Sequence, residues 1–223
     1  MSNRLFHVKI CGVTTADDAR MIADSGADAV GLNFYPGSPR FIEDATAEKI
    51  VAALPSEVCR VGVFVNEPIE SIARRIRRLG LNAVQLHGDE PPELLDEIEG
   101  LSVIKAFRVD DSVEPIDKFV RLAQQRTRSL AMVLVDSRHP GQYGGTGKAA
   151  NWDLLANRGG NPPWPPLVLA GGLTTENVIE AIRRVRPTAV DTASGVESSP
   201  GHKDPVQVQA FVRAAHTALR DNV

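Results

Sequence analysis

Two residues in this 223-residue chain join a proton-handling side chain to a position where chemistry can be done. Cys11 ends an apolar stretch at 6–11 and stands just before Gly12, and Asp136 ends the run Met132-Val133-Leu134-Val135. A thiol that ionises can take a proton and a protonated carboxyl group can give one, so the pair suits moving a proton between neighbouring atoms of one substrate. Each has a plainer reading. Cys11 can be a buried small hydrophobe, and Asp136, too costly to bury alone after an apolar run, can pair with Arg138 instead of being tuned for work.

A third feature spans 167–197, where two apolar runs each end in small residues, Ala170-Gly171-Gly172 and Thr192-Ala193-Ser194-Gly195. Backbone N–H groups at two adjacent strand ends, unobstructed by side chains, form a cradle for an anion such as phosphate. The alternative is that Gly171, Gly172 and Gly195 only permit tight turns. Further residues beside predicted turns are Asn33, His87, Arg108 and Asp191. For His87 a loop cap and a ligand contact are equally open. His7, His139, His202 and His216 have neither triad nor metal-ligand spacing, and a Ser-His-Asp reading finds no support.

The elements that must hold these residues alternate along the whole chain. Strands are predicted at 6–11, 28–34, 60–65, 83–86, 103–107, 130–135, 167–170 and 188–191, from short apolar runs boxed by Gly, Pro or polar residues. Helices follow from 3.6-residue spacing, such as Ile69, Ile72, Ala73, Ile76 and Leu79, or Val208, Phe211, Val212, Ala215 and Leu219. Thr14 or Thr15 caps the first, Pro91 or Pro92 opens the fourth, and Thr174 or Thr175 caps the one after 167–170. Eight alternations imply α/β architecture: one parallel (β/α)8 TIM barrel over 1–223, with functional residues at the C-terminal strand ends and the phosphate site after strands seven and eight. Cys59, at the start of its strand, then lies at the inert end. The loops at 35–40 and 137–150, the latter with Gly141, Gly144, Gly145 and Gly147, belong over the mouth. The prolines at 162–166 make a stiff surface connector more readily than a partner's ligand.

Composition narrows the partners. The chain is 43% hydrophobic with net charge −3 and a pI near 6.0, enough to bury a full core, and no composition break favours two domains over one. The basic cluster Arg74, Arg75, Arg77 and Arg78 reads as a solvated helix face, and no basic patch accompanies a nucleic-acid-reading motif. No apolar run approaches the ~20 residues of a membrane span, and 1–4 lack the apolar core of a signal peptide. Two cysteines are too few for a disulfide framework. The reading is a cytoplasmic protein with a phosphorylated small-molecule substrate, no nucleic acid and no membrane.

The motifs, in order, resemble those of the phosphoribosylanthranilate isomerase family: Lys9-Ile10-Cys11-Gly12, the 31–40 segment ending Ser-Pro-Arg, Gln85-Leu86-His87-Gly88, Leu134-Val135-Asp136-Ser137, Gly144-Gly145-Thr146-Gly147, Leu169-Ala170-Gly171-Gly172-Leu173, Ser194-Gly195-Val196-Glu197 and Lys203-Asp204. The resemblance implies an Amadori rearrangement with Asp136 as general acid and Cys11 as general base. It implies no cofactor and no metal. It also implies that Arg40 lies near the substrate carboxylate, with a surface charge flanking a helix as the alternative reading of that residue, and that His87, Gly145, Gly171, Gly172, Ser194 and Gly195 contact substrate. Monomer and homodimer stay open. Departures are Ala193, where the family often has a hydroxyl, Gly37, where a larger or basic residue is frequent, and the 162–166 stretch.

Two rivals share the cradle. A ribulose-phosphate epimerase would show paired carboxylates and metal-binding histidines, and the histidines are missing at strand ends. A phosphometabolite-binding protein that has lost catalysis would have no need of Cys11 and Asp136.

Overall fold

The computed structural model describes residues 5–98, 100–109, 111–127, 129–136, 152–158 and 163–221. Eight parallel strands close into a barrel in sequence order: β1 (Val8–Cys11), β2 (Ala29–Asn33), β3 (Cys59–Phe64), β4 (Ala83–Leu86), β5 (Ser102–Arg108), β6 (Met132–Asp136), β7 (Leu167–Ala170) and β8 (Ala189–Thr192). β1 pairs with β2 on one side and β8 on the other, which removes both sheet edges. Because every pairing is parallel, all C-terminal ends reach one mouth.

The strands read as continuous apolar runs because both faces are buried. Inward residues such as Ala29, Val61, Ala83, Ala106, Leu134 and Ala189 fill the barrel, while Val8, Ile10, Leu32, Leu86, Val135 and Leu169 face the helices outside. Each fully buried aliphatic side chain of that outer layer contributes about 1.5–3 kcal/mol. Helices α1 (Ala16–Asp24), α2 (Asp44–Ala53), α3 (Ile69–Leu79), α4 (Glu114–Ala123), α5 (Trp152–Ala156), α6 (Val178–Val185) and α7 (Pro205–Arg220) cover the strands. Thr15 Oγ1 accepts from Asp18 N–H at the start of α1, and Asp204 Oδ1 accepts from Val206 and Gln207 N–H at the start of α7.

The structure departs from the sequence reading in four places. Pro92–Glu97 is a 3₁₀ helix rather than an α-helix, as suits a six-residue segment that follows Pro91 and begins with Pro92, neither of which has an N–H donor. α6 starts at Val178 instead of just after Thr174 or Thr175: Thr174 N–H donates to Asn177 Oδ1 and Glu176 N–H to Thr174 Oγ1, making a capping turn first. The four arginines of α3 are not uniformly solvated, since Arg75 pairs with Asp44 and Glu67 and sits 4.8 Å over the Phe34 ring. Finally, a small antiparallel hairpin, β9 (Glu197–Ser199) and β10 (His202–Lys203), follows a one-turn 3₁₀ helix, Ser194–Val196. The loop at 137–150, including Gly145 and Arg138, lies outside the described residues. Among the described residues no helix is long and apolar enough to cross a membrane.

Candidate active site

Cys11 is the last residue of β1 and points inward beside Gly31, its register partner on β2. A Cβ at Gly31 would stand 2.5 Å from Cys11 Sγ, so the absent side chain is the room the thiol occupies. Two residues earlier on the same face, Lys9 is fully buried and its Nζ lies 2.8 Å from Asp191 Oδ2 of β8. Burial opposes the Lys9 charge, but Asp191 and then Cys11 outweigh it and hold the ammonium firmly protonated. Burial pushes the Cys11 thiol above its ordinary value, and the Lys9 and Lys203 charges pull the other way.

Asp136 ends β6 on the inward face, in register with Arg108 of β5 and Ala170 of β7. Its charge acts on His87, just past β4, which is nevertheless pushed down to about 4 because burial dominates and Lys9, Arg108 and Lys105 add like charge. His87 Nδ1 lies 3.1 Å from Gln85 Nε2. His87 is therefore a neutral imidazole at the mouth near pH 7.

The loops after β7 and β8 meet as expected. Gly171 and Gly172 have φ of 85° and 66°. Asn177 Nδ2 donates to Gly172 O, and Thr192 Oγ1 donates to Leu173 O. These bonds engage two carbonyls of the loop. Gly195 is dictated by closeness: a Cβ there would be 1.8 Å from Leu173 O. Ser194 and Gly195 begin the short 3₁₀ helix beside this loop.

Arg40 ends a loop shaped by its neighbours: Asn33 Oδ1 accepts from Tyr35 N–H, Asn33 Nδ2 donates to Ser38 Oγ, and that Oγ accepts from Arg40 N–H. The guanidinium is no free surface charge. Its Nε and Nη2 donate to Glu197 at 2.7 and 2.5 Å, so one edge of the group is taken by that carboxylate. A Cβ at Gly12, the residue after Cys11, would stand 2.3 Å from Arg40 Cδ, so Arg40 belongs to the same mouth. Cys59, by contrast, begins β3 and lies at the opposite end.

Sequence reasoning placed Cys11, Arg40, His87, Asp136, Gly171, Gly172, Ser194 and Gly195 at strand ends or in the loops beyond them, and the structure brings these to one mouth. It gave no role to Lys9, Gln85, Glu197 or Lys203. A lysine inside an otherwise apolar strand was the available signal for the first, and the Pro200-Gly201 turn dipeptide for the hairpin that carries the last two.

Comparison with known proteins agrees with this geometry. Residues 8–214 match the family model described as N-(5'phosphoribosyl)anthranilate (PRA) isomerase. The N-(5'-phosphoribosyl)anthranilate isomerase of Geobacter metallireducens is 45% identical over 213 residues, covering 95% of this chain and 99% of its own. The crystal structure of phosphoribosyl anthranilate isomerase from Thermotoga maritima superposes with a TM-score of 0.84 at 43% identity, covering 95% of this chain and 99% of that one. A second such isomerase structure, in complex with reduced 1-(o-carboxyphenylamino)-1-deoxyribulose 5-phosphate, gives 0.81 at 40% identity with the same coverage. With the barrel closed, the thiol and carboxyl group at one mouth and the match running nearly end to end, this chain belongs to the N-(5'-phosphoribosyl)anthranilate isomerase family.

Proposed function

We propose that this protein carries out the Amadori rearrangement of N-(5-phosphoribosyl)anthranilate to 1-(2-carboxyphenylamino)-1-deoxyribulose 5-phosphate in tryptophan biosynthesis, with Asp136 and Cys11 dividing the proton transfers. Asp136 gives its proton to the furanose ring oxygen as the C1–O bond breaks, and the anthranilate nitrogen supplies the electron pair that forms the Schiff base. Cys11, as thiolate, takes the C2 proton. The C2–H electrons become the C1–C2 double bond and the C=N pair returns to nitrogen, giving an enolamine that tautomerises to the ketone. General acid and base each contribute on the order of 10²–10⁴-fold to such a reaction.

The observation that carries this reading is the placing of Cys11 on β1 and Asp136 on β6, both inward at the same end as the β7 and β8 loops. The Gly171-Gly172 and Ser194-Gly195 segments take the phosphate. Ala193 lacks a hydroxyl there, so that site relies more on backbone amides. Arg40 offers its Nη1 edge to the carboxylate, and His87 contacts the substrate as a neutral imidazole; Gly145, expected to contact it too, lies outside the described residues. The whole chain, 1–223, acts as one barrel domain in the cytoplasm, as monomer or homodimer. Anthranilate fluorescence should fall when purified protein meets freshly made N-(5'-phosphoribosyl)anthranilate. An unchanged signal, with the substrate verified by another isomerase, would overturn the reading.

A further inference from the structure

Lys203 and Glu197 have no part in the proton transfers, yet their side chains are only 0% and 4% exposed. Lys203 is 5% exposed, and its Nζ donates to Cys11 O at 2.8 Å, Ala193 O at 3.0 Å and Glu197 Oε1 at 2.8 Å. An ammonium has three hydrogens, and all three are spoken for by different segments. Glu197 pairs with Lys203 across the hairpin and grips the Nε/Nη2 edge of Arg40 with both oxygens. Thr14 Oγ1 holds the hairpin turn through Gly201 O at 2.5 Å.

A hairpin this short has little stability of its own, and an ion pair removed from water costs desolvation that its attraction only partly returns. What the pair does have is reach. It touches the end of β1 that carries Cys11, the loop after β8, and the arginine that ends the 35–40 loop.

We propose that Lys203 and Glu197 are positioning residues that hold Cys11, Arg40 and the loop after β8 in one fixed arrangement, an inference that rests on the roles given above to Cys11 and Arg40. Glu197 sets the rotation of the guanidinium, so that the edge presented to the carboxylate is the Nη1/Nη2 one. Lys203 fixes the backbone at Cys11 and brings a positive charge to its thiolate. The charged groups acting on that thiol are Lys9 of β1, Asp191 of β8, Lys203 of β10 and Arg40. Lys203 is the one among them that also bonds the Cys11 backbone.

The test uses the full chain with Glu197→Gln, Lys203→Met and Lys203→Arg. Turnover of N-(5'-phosphoribosyl)anthranilate is followed from about pH 6 to 10, with thermal unfolding and inhibition by inorganic phosphate measured alongside. Glu197→Gln should lower kcat/KM on the order of 10²-fold, mostly through KM, because a displaced arginine meets the carboxylate badly. Its inhibition by inorganic phosphate should stay near that of the wild type, since the Lys203 bond to Ala193 remains. Lys203→Met should move the limb of the kcat/KM profile that rises with pH to higher pH, and Lys203→Arg, which keeps the charge, should leave it in place.

A Glu197→Gln enzyme with wild-type KM would overturn the proposal, as would a Lys203→Met profile that is merely scaled down. If Lys203→Met does not fold, Glu197→Gln decides alone. A wild-type enzyme with no turnover would instead sink the functional reading itself.

Discussion

Cys11 and Cys59 are the same side chain in the same barrel, both partly buried and both against its interior, yet one ends a strand and the other begins one. Burial pushes the Cys59 thiol up to about 11, and the nearby Lys9 and Arg60 charges do not offset it. Cys11 is raised by burial too, but its surroundings were assembled from elsewhere: Gly31 leaves it space, Lys9 and Lys203 bring positive charge, and the 170–172 and 192–195 loops share its mouth. Strand polarity, not residue chemistry, separates the thiol proposed to work from the one expected to be inert. In a parallel barrel the C-terminal ends open into long loops, while the N-terminal ends close over packed side chains.

The comparison breaks most sharply by exchanging the sulfur. Cys11→Ser substitutes a far poorer base and Asp136→Asn loses the transferable proton. Each should lower kcat on the order of 10²–10⁴-fold, whereas Cys59→Ser should stay within about twofold. Binding of the reduced product analogue should survive all three, because the proposed site gives phosphate and carboxylate to other groups. Equal activities of Cys11→Ser and wild type would remove the distinction between the two ends.

A next-largest effect is expected where no chemical group is lost at all. Gly31→Ala places a methyl 2.5 Å from Cys11 Sγ and 3.0 Å from its Cα, so the thiol must shift. A shift near 1 Å in a reacting group can cost on the order of 10²-fold in kcat. The counterpart at the phosphate loops is Gly195→Val, whose Cβ would be 1.8 Å from Leu173 O. KM for the phosphorylated substrate should rise on the order of tenfold or more, the scale of losing one or two charge-assisted hydrogen bonds. An unchanged KM in a folded Gly195→Val protein would move the phosphate elsewhere.

The smallest effect concerns stability and pH. His87 is held neutral in the folded chain down to about 4, against an ordinary value of 6.5. Between these values the unfolded chain takes up a proton that the folded chain refuses, so stability is complete above about pH 6.5 and falls as pH drops toward 4. The full difference is on the order of 3 kcal/mol. Urea unfolding of wild type and His87→Gln from pH 7 to 4 should therefore show a shallower decline in the variant. Parallel declines would assign the acid lability to other groups.

Several features of the protein are legible from local sequence alone. The alternation of apolar runs with 3.6-residue periods yields the β/α repeats, and β4 and β7 are found at the spans the sequence indicates, Ala83–Leu86 and Leu167–Ala170. Small residues after two successive runs mark the loops beyond β7 and β8, and a cysteine at a strand's end is told from one at its start by position. These follow from short-range sterics and solvation, which a window of a few residues contains. Arg40 meeting Glu197, 157 positions away, and Lys203 meeting Cys11, 192 positions away, follow only once β1 closes against β8. The same closure puts Lys9 against Asp191, and strand register alone sets Gly31 beside Cys11. Ring closure and register are decided by the summed packing of all eight strands, so no local stretch encodes which buried charge will find which partner.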